Sequence, residues 1–245
     1  MEINSTWFGF PEAEFTFEGR RATVVFPETA NKEKNWTIKT EYKDAFPETE
    51  IALLKEGFHV TYLENKSRFA TKEDCDAKAR FVKFLEKELG LKEKCVPIGM
   101  SCGGAHAVRF AGFYPELIDC MFIDAPVLNY CDFPGTYGHS YREKVWETEF
   151  VVAYPGMTRA KLLSFTHHPM NMIDTLIENK VPIIMLYGNE DTTVDFNANG
   201  ALMLDAYKEH PGLLTVHMRE YQGHHPHGIP QNPRMIVDFI LSHLR

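Results

Sequence analysis

The opening of the chain alternates between apolar and polar positions. This alternation runs loosely over residues 15–26, and the turn residues Glu18-Gly19-Arg20 divide it, which predicts an opening hairpin. Further along, short apolar runs of strand length recur and are bounded by polar or turn residues. The pattern therefore predicts six more strands, at residues 35–39, 58–63, 95–100, 120–124, 181–187 and 213–218.

Helical patterns separate most of these strands. Pro47 is a typical first-turn residue for a helix that continues to Lys55 and ends before Gly57. Thr71 followed by Asp74 resembles a capping box, and the helix that it opens is predicted to end at Gly90. Strands that alternate with helices predict an α/β fold with a mainly parallel central sheet and helices on both of its faces.

Length and composition are those of an ordinary globular protein. The 245 residues, with 44% hydrophobic and 24% charged positions, predict a single domain over residues 1–245. The formal charge of −8 and the lack of a basic cluster disfavour a nucleic-acid partner. No apolar run has the length of a membrane span and the first residues do not resemble a secretory signal, so we expect no membrane partner and a cytoplasmic location.

Five cysteines are an odd number without the paired spacing of a zinc site. This usage is typical of reduced thiols and not of a disulfide framework. No feature of the sequence decides the oligomeric state, and a homo-oligomer stays open. The cysteines are Cys75, Cys95, Cys102, Cys120 and Cys131.

The first candidate for chemistry is Ser101. It lies in the sequence Gly99-Met100-Ser101-Cys102-Gly103, between a predicted strand and a helical pattern rich in small residues. The motif Gly-x-Ser-x-Gly in this context is typical of a nucleophile elbow, in which a sharp turn exposes the serine hydroxyl. Because three fixed residues in five arise often by chance, the motif by itself does not separate a catalytic serine from an ordinary turn.

Two further candidates follow later strands. Asp191 comes directly after the strand predicted at residues 181–187, and His224 follows the strand at residues 213–218. The carboxyl ends of parallel strands meet at one edge of a sheet, so these side chains are expected to share a crevice with Ser101. The chain order Ser, Asp, His is that of the α/β-hydrolases.

On these three motifs the chain resembles the α/β-hydrolase superfamily, and in particular its serine carboxylesterases, from about residue 20 to its end. The resemblance implies that Ser101 is the nucleophile, His224 the base and Asp191 the acid that orients the imidazole. The histidine would accept the serine proton as the hydroxyl attacks an acyl carbon, and water would then hydrolyse the acyl-enzyme.

Neighbouring residues leave alternatives for the acid and the base. Glu190, Asp195 and Asp124 are other acids near strand ends, and Asp191 is favoured by its spacing from Gly188. His225 and His227 compete with His224. His224 is favoured because Gly223 gives the loop freedom to turn its side chain inward, while Pro226 confines His225 to an extended conformation.

No cofactor and no metal ion are expected. A group of histidines can bind a metal, but no set of carboxylates or cysteines accompanies residues 224–227 in the sequence.

An oxyanion hole needs two backbone donors. The amide of Cys102 should supply one, because it follows the nucleophile. The His-Gly-Gly turn that usually supplies the other is missing, and an amide near Glu41 or Tyr42 takes its place in our interpretation. Lys39 and Glu41 would then lie close enough to contact a polar substrate, and an ordinary surface ion pair between them is the alternative.

More than fifty residues separate the strand that ends at Asp124 from the one that begins near Val181. In the α/β-hydrolases this position often carries a cap, and the resemblance implies one at about residues 128–172. Trp146 is our candidate there for a substrate contact, although most cap aromatics are expected only to hold the cap together. The aromatic residues are Tyr130, Phe133, Tyr137, Tyr141, Trp146, Phe150, Tyr154 and Phe165.

The resemblance implies a serine esterase for a small or medium carboxylic ester that carries a polar group, for example an acylated sugar. A peptidase or an acyltransferase with the same triad is the alternative within the fold. A non-catalytic scaffold that binds a ligand is the alternative from another class, and the presence of all three triad residue types speaks against it.

Overall fold

The computed structural model describes residues 1–137 and 140–244, and for Ser140 it describes the backbone only. Its centre is a nine-stranded sheet with the order β1-β2-β3-β5-β4-β6-β7-β8-β9. The strands are β1 (Ser5–Trp7), β2 (Phe10–Phe17), β3 (Arg20–Val25), β4 (Trp36–Lys39), β5 (His59–Leu63), β6 (Val96–Met100), β7 (Met121–Asp124), β8 (Ile183–Gly188) and β9 (Leu214–Arg219).

The first part of the sheet is antiparallel. The predicted hairpin is formed by β2 and β3, and its turn residues Glu18 and Gly19 both have positive φ, at 51° and 74°. Two successive positive φ angles are typical of the tight turns whose twist matches a hairpin. Strand β1 was not predicted, because three residues with a single buried side chain produce no apolar run.

From β5 to β9 all neighbouring strands are parallel. Their carboxyl ends therefore lie along one edge of the sheet, where the loops that carry Ser101, Asp191 and His224 begin.

Within residues 1–137 and 140–244, nine α-helices accompany the sheet. Helices α1 and α9 pack on one face, around Leu53 and Ile236, while α2, α3, α7 and α8 cover the other. Thr71 caps α2 as predicted, because its hydroxyl accepts a hydrogen bond from the Asp74 amide, and α2 ends at Gly90 with φ of 63°. The helices are α1 (Glu48–Lys55), α2 (Lys72–Leu89), α3 (Cys102–Phe113), α4 (Ser140–Val145), α5 (Val151–Ala153), α6 (Arg159–Leu162), α7 (Ile173–Glu178), α8 (Gly200–Ala206) and α9 (Arg234–Ser242).

The segment between β7 and α7 folds into the short helices α4 to α6 and packs through aromatic rings. Phe69, from the loop after β5, contacts Tyr130 and Phe150 of this segment with ring centroids 5.9 and 5.0 Å apart. The segment thus shares a buried cluster with the first turn of α3. The limits of a cap at residues 128–172 stay a prediction, and Gly138 and His139 within it lie outside the described residues.

Over the described part of the chain, none of the helices combines the length and the apolar character that crossing a membrane requires. The five cysteines predicted to be reduced are free thiols.

Candidate active site

Ser101 occupies the sharp turn between β6 and α3. Its backbone has φ of 54° and ψ of −121°, a conformation that residues with a side chain rarely adopt. The strand and the helix pass so closely here that a Cβ on Gly99 would lie 2.2 Å from the carbonyl oxygen of Gly103. A Cβ on Gly104 would meet Pro126 at 2.5 Å. The small residues of the motif are therefore required by backbone contacts, as its sequence context predicts.

The structure brings Ser101, His224 and Asp191 together in hydrogen-bonding order. His224 Nε2 lies 3.0 Å from Ser101 Oγ, and His224 Nδ1 lies 2.7 Å from Asp191 Oδ2. The other carboxylate oxygen of Asp191 accepts hydrogen bonds from the amides of Thr193 and Val194, at 2.8 and 2.9 Å. Burial by itself would raise the pKa of Asp191, but these hydrogen bonds and the one from His224 hold it below its ordinary value. The acid is thus ionised and fixed in place.

The loops that carry Asp191 and His224 are tied to each other. The Glu190 amide donates to the Gln222 carbonyl at 2.9 Å, and the Tyr221 amide donates to Asn189 Oδ1 at 2.8 Å. Gly223, expected to give the loop its freedom, has no left-handed backbone, and a Cβ there would meet nothing closer than 3.8 Å. The expectation for Gly223 is therefore wrong, although His224 is the histidine beside Ser101.

The three other acids considered for the triad lie elsewhere. Asp124 forms an ion pair with Arg219 at 2.6 Å and accepts from the Gly228 amide at 2.6 Å, and neither carboxylate oxygen contacts His224. Glu190 is exposed, and Asp195 accepts from the Asn197 amide at 2.7 Å.

His225 and His227 lie against His224 without replacing it. His227 is buried, and its Nδ1 faces Asp124 Oδ1 at 3.4 Å. His225 is exposed and stacks on Phe46, with ring centroids 5.6 Å apart. Burial lowers the pKa of both rings. One ring nitrogen from each of the three histidines lies within 4.8 Å of the others, so the group is able to hold a metal ion. The carboxylates behind the rings, Asp191 at His224 and Asp124 at His227, are distant from residues 224–227 in the sequence. The sequence around the histidines therefore shows no accompanying acids.

The elbow and the loop after β4 frame the predicted oxyanion hole. Cys102 is the first residue of α3, where amide hydrogens have no partner within the helix. Its thiol is buried, which raises the thiol pKa to about 12, so it is not a competing nucleophile. Thr40 Oγ1 lies 2.7 Å from the Gly103 carbonyl oxygen and so holds the loop after β4 against the elbow.

Glu41 and Tyr42 follow Thr40 on this loop. Tyr42 lines the cavity above Ser101, whereas Glu41 lines a neighbouring cavity and accepts a hydrogen bond from Asn65 Nδ2 at 2.5 Å. Burial raises the pKa of the Glu41 carboxyl. The oxyanion roles of Cys102, Glu41 and Tyr42 stay predictions.

A cavity of about 460 Å³ opens over Ser101. Its walls are mostly apolar and aromatic, and Arg68 supplies its permanent cation among the residues described. The Arg68 guanidinium forms a two-bond ion pair with the Glu149 carboxylate. The apolar and aromatic wall residues include Tyr42, Phe46, Met100, Phe133 and Tyr141.

Arg68 was missed by sequence reasoning. Arg68 lies in the loop that follows β5. Its position after the carboxyl end of a central parallel strand, where substrate-binding side chains are expected, is the feature of the sequence that could have identified it.

The structure does not bring Lys39 or Trp146 to the cavity. Lys39 is buried, and its Nζ lies 2.5 Å from Glu50 Oε1 of α1 and 3.0 Å from the Ala45 carbonyl oxygen. Both expectations for Lys39 are thus wrong, because it neither lines the cavity nor forms a surface pair with Glu41. Trp146 is also buried, stacked on Phe150 and beneath Arg159, so its expected contact with substrate is not formed.

Comparisons with known proteins identify the fold. No family model matches the chain, and no curated protein matches it in sequence. Among solved structures it is similar to an S-formylglutathione hydrolase from Agrobacterium tumefaciens, with 14% identity, a TM-score of 0.68 and all of both chains covered.

Two larger peptidases contain a similar domain. A puromycin-hydrolyzing peptidase from Mycobacterium tuberculosis has 13% identity and a TM-score of 0.74, with 100% of this chain and 41% of the peptidase covered. An acylaminoacyl peptidase from Pyrococcus horikoshii has 13% identity and a TM-score of 0.73, with 96% and 42% covered. The chain therefore spans about two fifths of the length of these peptidases. At such low identity these likenesses show the fold, and the predicted fold class is confirmed.

Proposed function

We propose that this chain, which has the α/β-hydrolase fold, is a serine hydrolase that cleaves carboxylic esters. The single observation that supports this most is the unbroken series of hydrogen bonds from Ser101 through His224 to Asp191, at 3.0 and 2.7 Å. A scaffold that only binds a ligand has no need for this series at the floor of its cavity.

The geometry supports acyl transfer in two steps. His224 Nε2 accepts the proton of Ser101 as the hydroxyl oxygen attacks the acyl carbon, and Asp191 stabilises the imidazolium that forms. His224 then donates that proton to the departing alcohol, which leaves the acyl group on Ser101. Water, deprotonated by His224, attacks the acyl carbon; the bond to Ser101 Oγ then breaks, His224 returns the proton to Oγ, and the acid is released. The Cys102 amide, with an amide of Tyr42 or Glu41, would stabilise the oxyanion in both steps.

The cavity suits an acyl group of small or medium size. Its volume of about 460 Å³ lies within the usual range for small-molecule sites, and its mostly apolar and aromatic walls suit the hydrocarbon part of an acyl group. Arg68 also lines a second cavity of about 720 Å³, whose wall includes Glu41, Asn65 and Glu73. We place the acyl group in the first cavity and a polar alcohol part, such as a sugar, toward Arg68 and the second.

A peptidase with the same triad is the second candidate, because two of the similar structures are peptidases. The cavity over Ser101 favours the ester. Among the described residues that line it there is no aspartate or glutamate, so nothing there would pair with the ammonium group of a free amino terminus. An acyltransferase differs only in the acceptor that replaces water. The five free thiols support a reducing compartment, for which we propose the cytoplasm.

The test is labelling followed by a substrate series. A fluorophosphonate should label the wild-type chain on Ser101, as located by mass spectrometry of its peptides, and Ser101→Ala should not be labelled. Ser164→Ala, which changes an exposed serine that lines neither cavity, is the matched control and should label normally. Hydrolysis of nitrophenyl esters of increasing chain length should exceed that of the matched anilides. Faster cleavage of the anilides would favour the peptidase, and labelling elsewhere than Ser101 would contradict the proposal.

A further inference from the structure

We propose that His224, His225 and His227 form a binding site for a divalent transition-metal ion, with Zn²⁺ as the ion tested, and that the ion inhibits the enzyme. The site was not expected from the sequence. Binding of the ion follows from the histidine cluster itself, and only its inhibitory effect rests on the proposed function.

The three rings meet at steep angles around one point. Their centroids are 4.8, 4.9 and 5.0 Å apart, and their planes cross at 67°, 82° and 85°. One nitrogen of each ring lies within 4.8 Å of the other two. With Zn–N bonds of about 2.0–2.1 Å, tetrahedral ligand nitrogens lie about 3.3 Å apart. The rings therefore need to turn inward slightly, and His225 is exposed at the protein surface.

A carboxylate lies behind each of two of the rings. Asp191 lies 2.7 Å from His224 Nδ1, and Asp124 lies 3.4 Å from His227 Nδ1. A carboxylate hydrogen-bonded to Nδ1, as Asp191 is at His224, fixes the tautomer that leaves the Nε2 lone pair for a metal and raises the basicity of the ligand. Asp124 faces the buried His227 Nδ1 without a hydrogen bond and supplies a negative charge close to that ring. Arg219 is paired to Asp124 at 2.6 Å, which keeps that carboxylate in place.

Phe46 holds the other side of the cluster. It stacks on His225 and contacts His227 edge-on, with ring centroids 5.6 and 5.3 Å away. Neutral imidazoles are ligands for Zn²⁺, Ni²⁺ and Cu²⁺, whereas Mg²⁺ and Ca²⁺ prefer oxygen. The cluster should therefore select the transition metals.

Metal binding and catalysis exclude each other at one atom. His224 Nε2 has a single lone pair, which accepts the hydrogen bond of Ser101 at 3.0 Å. A metal bound to this nitrogen removes the base from the serine and places a cation at the floor of the cavity. Turnover should stop while the ion is bound and return when it is removed.

Binding is tested first without any activity. Calorimetric titration of Ser101→Ala with Zn²⁺ should show a single ion per chain, because this variant keeps all three histidines. Co²⁺ in place of Zn²⁺ should give the visible absorption of a low-coordinate nitrogen site. Two double variants, Ser101→Ala with His225→Ala and Ser101→Ala with His227→Ala, should each bind Zn²⁺ at least about tenfold more weakly. His210→Ala, an exposed histidine outside the cluster, is the control and should bind as before.

Activity is tested second, on the wild-type chain and an ester that it cleaves. Zn²⁺ should inhibit, EDTA should restore full turnover, and His225→Ala should need at least about ten times more Zn²⁺ for half-inhibition of its own metal-free rate. Zinc binding that is unchanged by His225→Ala and His227→Ala would overturn the site. Binding through the cluster in a chain that cleaves no ester would leave the site standing and contradict the proposed function instead.

Discussion

The carbonyl oxygen of Gln222 lies where a side chain at position 188 would begin, 2.3 Å from the place of a Cβ on Gly188. The loop that carries His224 therefore passes directly over the end of β8, from which the loop with Asp191 departs. Backbone contact between these two loops sets the distance from acid to base.

Gly188→Ala should displace the loop of His224 from Ser101. Because the added methyl group meets backbone atoms, which cannot turn away, we expect turnover to fall by about tenfold or more while much of the sheet survives. The matched control is Gly223→Ala, where the nearest atom is 3.8 Å away, and its turnover should stay near that of the wild type. Equal effects of the two variants would contradict this account of the loop.

Ser101→Ala should abolish ester hydrolysis and leave the fold intact. Loss of a triad nucleophile commonly costs at least about a thousandfold in turnover. The variant is checked by ester kinetics together with its circular dichroism and thermal unfolding. Near-normal turnover on any ester that the wild type cleaves would mean that another residue is the nucleophile.

The three histidines should differ sharply. His224→Ala removes the ring between Ser101 and Asp191, so we expect a loss of several powers of ten in turnover, whereas His225→Ala and His227→Ala should cost far less. Kinetics of the three variants without added metal measure this. If His227→Ala were the inactive variant, His227 would be the base, and Asp124, not Asp191, would be the acid of the triad.

Lys39 should matter for stability and not for substrate. Both Lys39 and Glu50 are buried, so Lys39→Met leaves an unpaired carboxylate and should lower the free energy of unfolding by about 3–5 kcal/mol. The double variant Lys39→Met with Glu50→Leu should recover most of this loss. Urea unfolding gives the stabilities, and the KM of folded Lys39→Met should be that of the wild type. A large rise in KM would instead restore Lys39 as a substrate contact.

His59 should make the protein less stable in acid. Burial lowers its pKa from 6.5 to about 4, so the unfolded chain binds a proton that the folded chain does not in this range. The free energy of unfolding should therefore fall as the pH falls from 6.5 to about 4, at up to about 1.4 kcal/mol per pH unit from this residue. His59→Gln should reduce the slope, as measured by urea unfolding at several pH values. A steeper slope in the variant would mean that the shift has the opposite sign.

Periodicity and strand order were enough to predict most of the fold and the chain order of the triad. Asp191 and His224 were found because carboxyl ends of parallel strands share an edge, so position along the chain fixes position in space. The direction in which a side chain points was harder to predict. All four residues of β4 are buried, and without alternation nothing in the sequence indicated that Lys39 turns toward α1.

Contacts between distant segments were beyond the sequence. Asp124 and His227 are 103 positions apart, and Arg68 meets Glu149 across 81 residues, so neither pairing has a local signal. The cluster of three histidines was visible as a sequence motif, but the two carboxylates behind it, Asp124 at the end of β7 and Asp191 after β8, were assigned to it only from the structure.

The strained backbone of Ser101 also affects which substitutions would be favoured at this position during evolution. Its positive φ holds about 1–3 kcal/mol of strain, which the surrounding contacts of β6 and α3 must outweigh. A descendant that no longer needed chemistry would gain robustness by exchanging this serine for glycine, which adopts the same conformation without strain. The substitution that removes activity thus also raises the free energy of unfolding. Position 101 is therefore the first to change when a stable, inactive form of the protein is wanted.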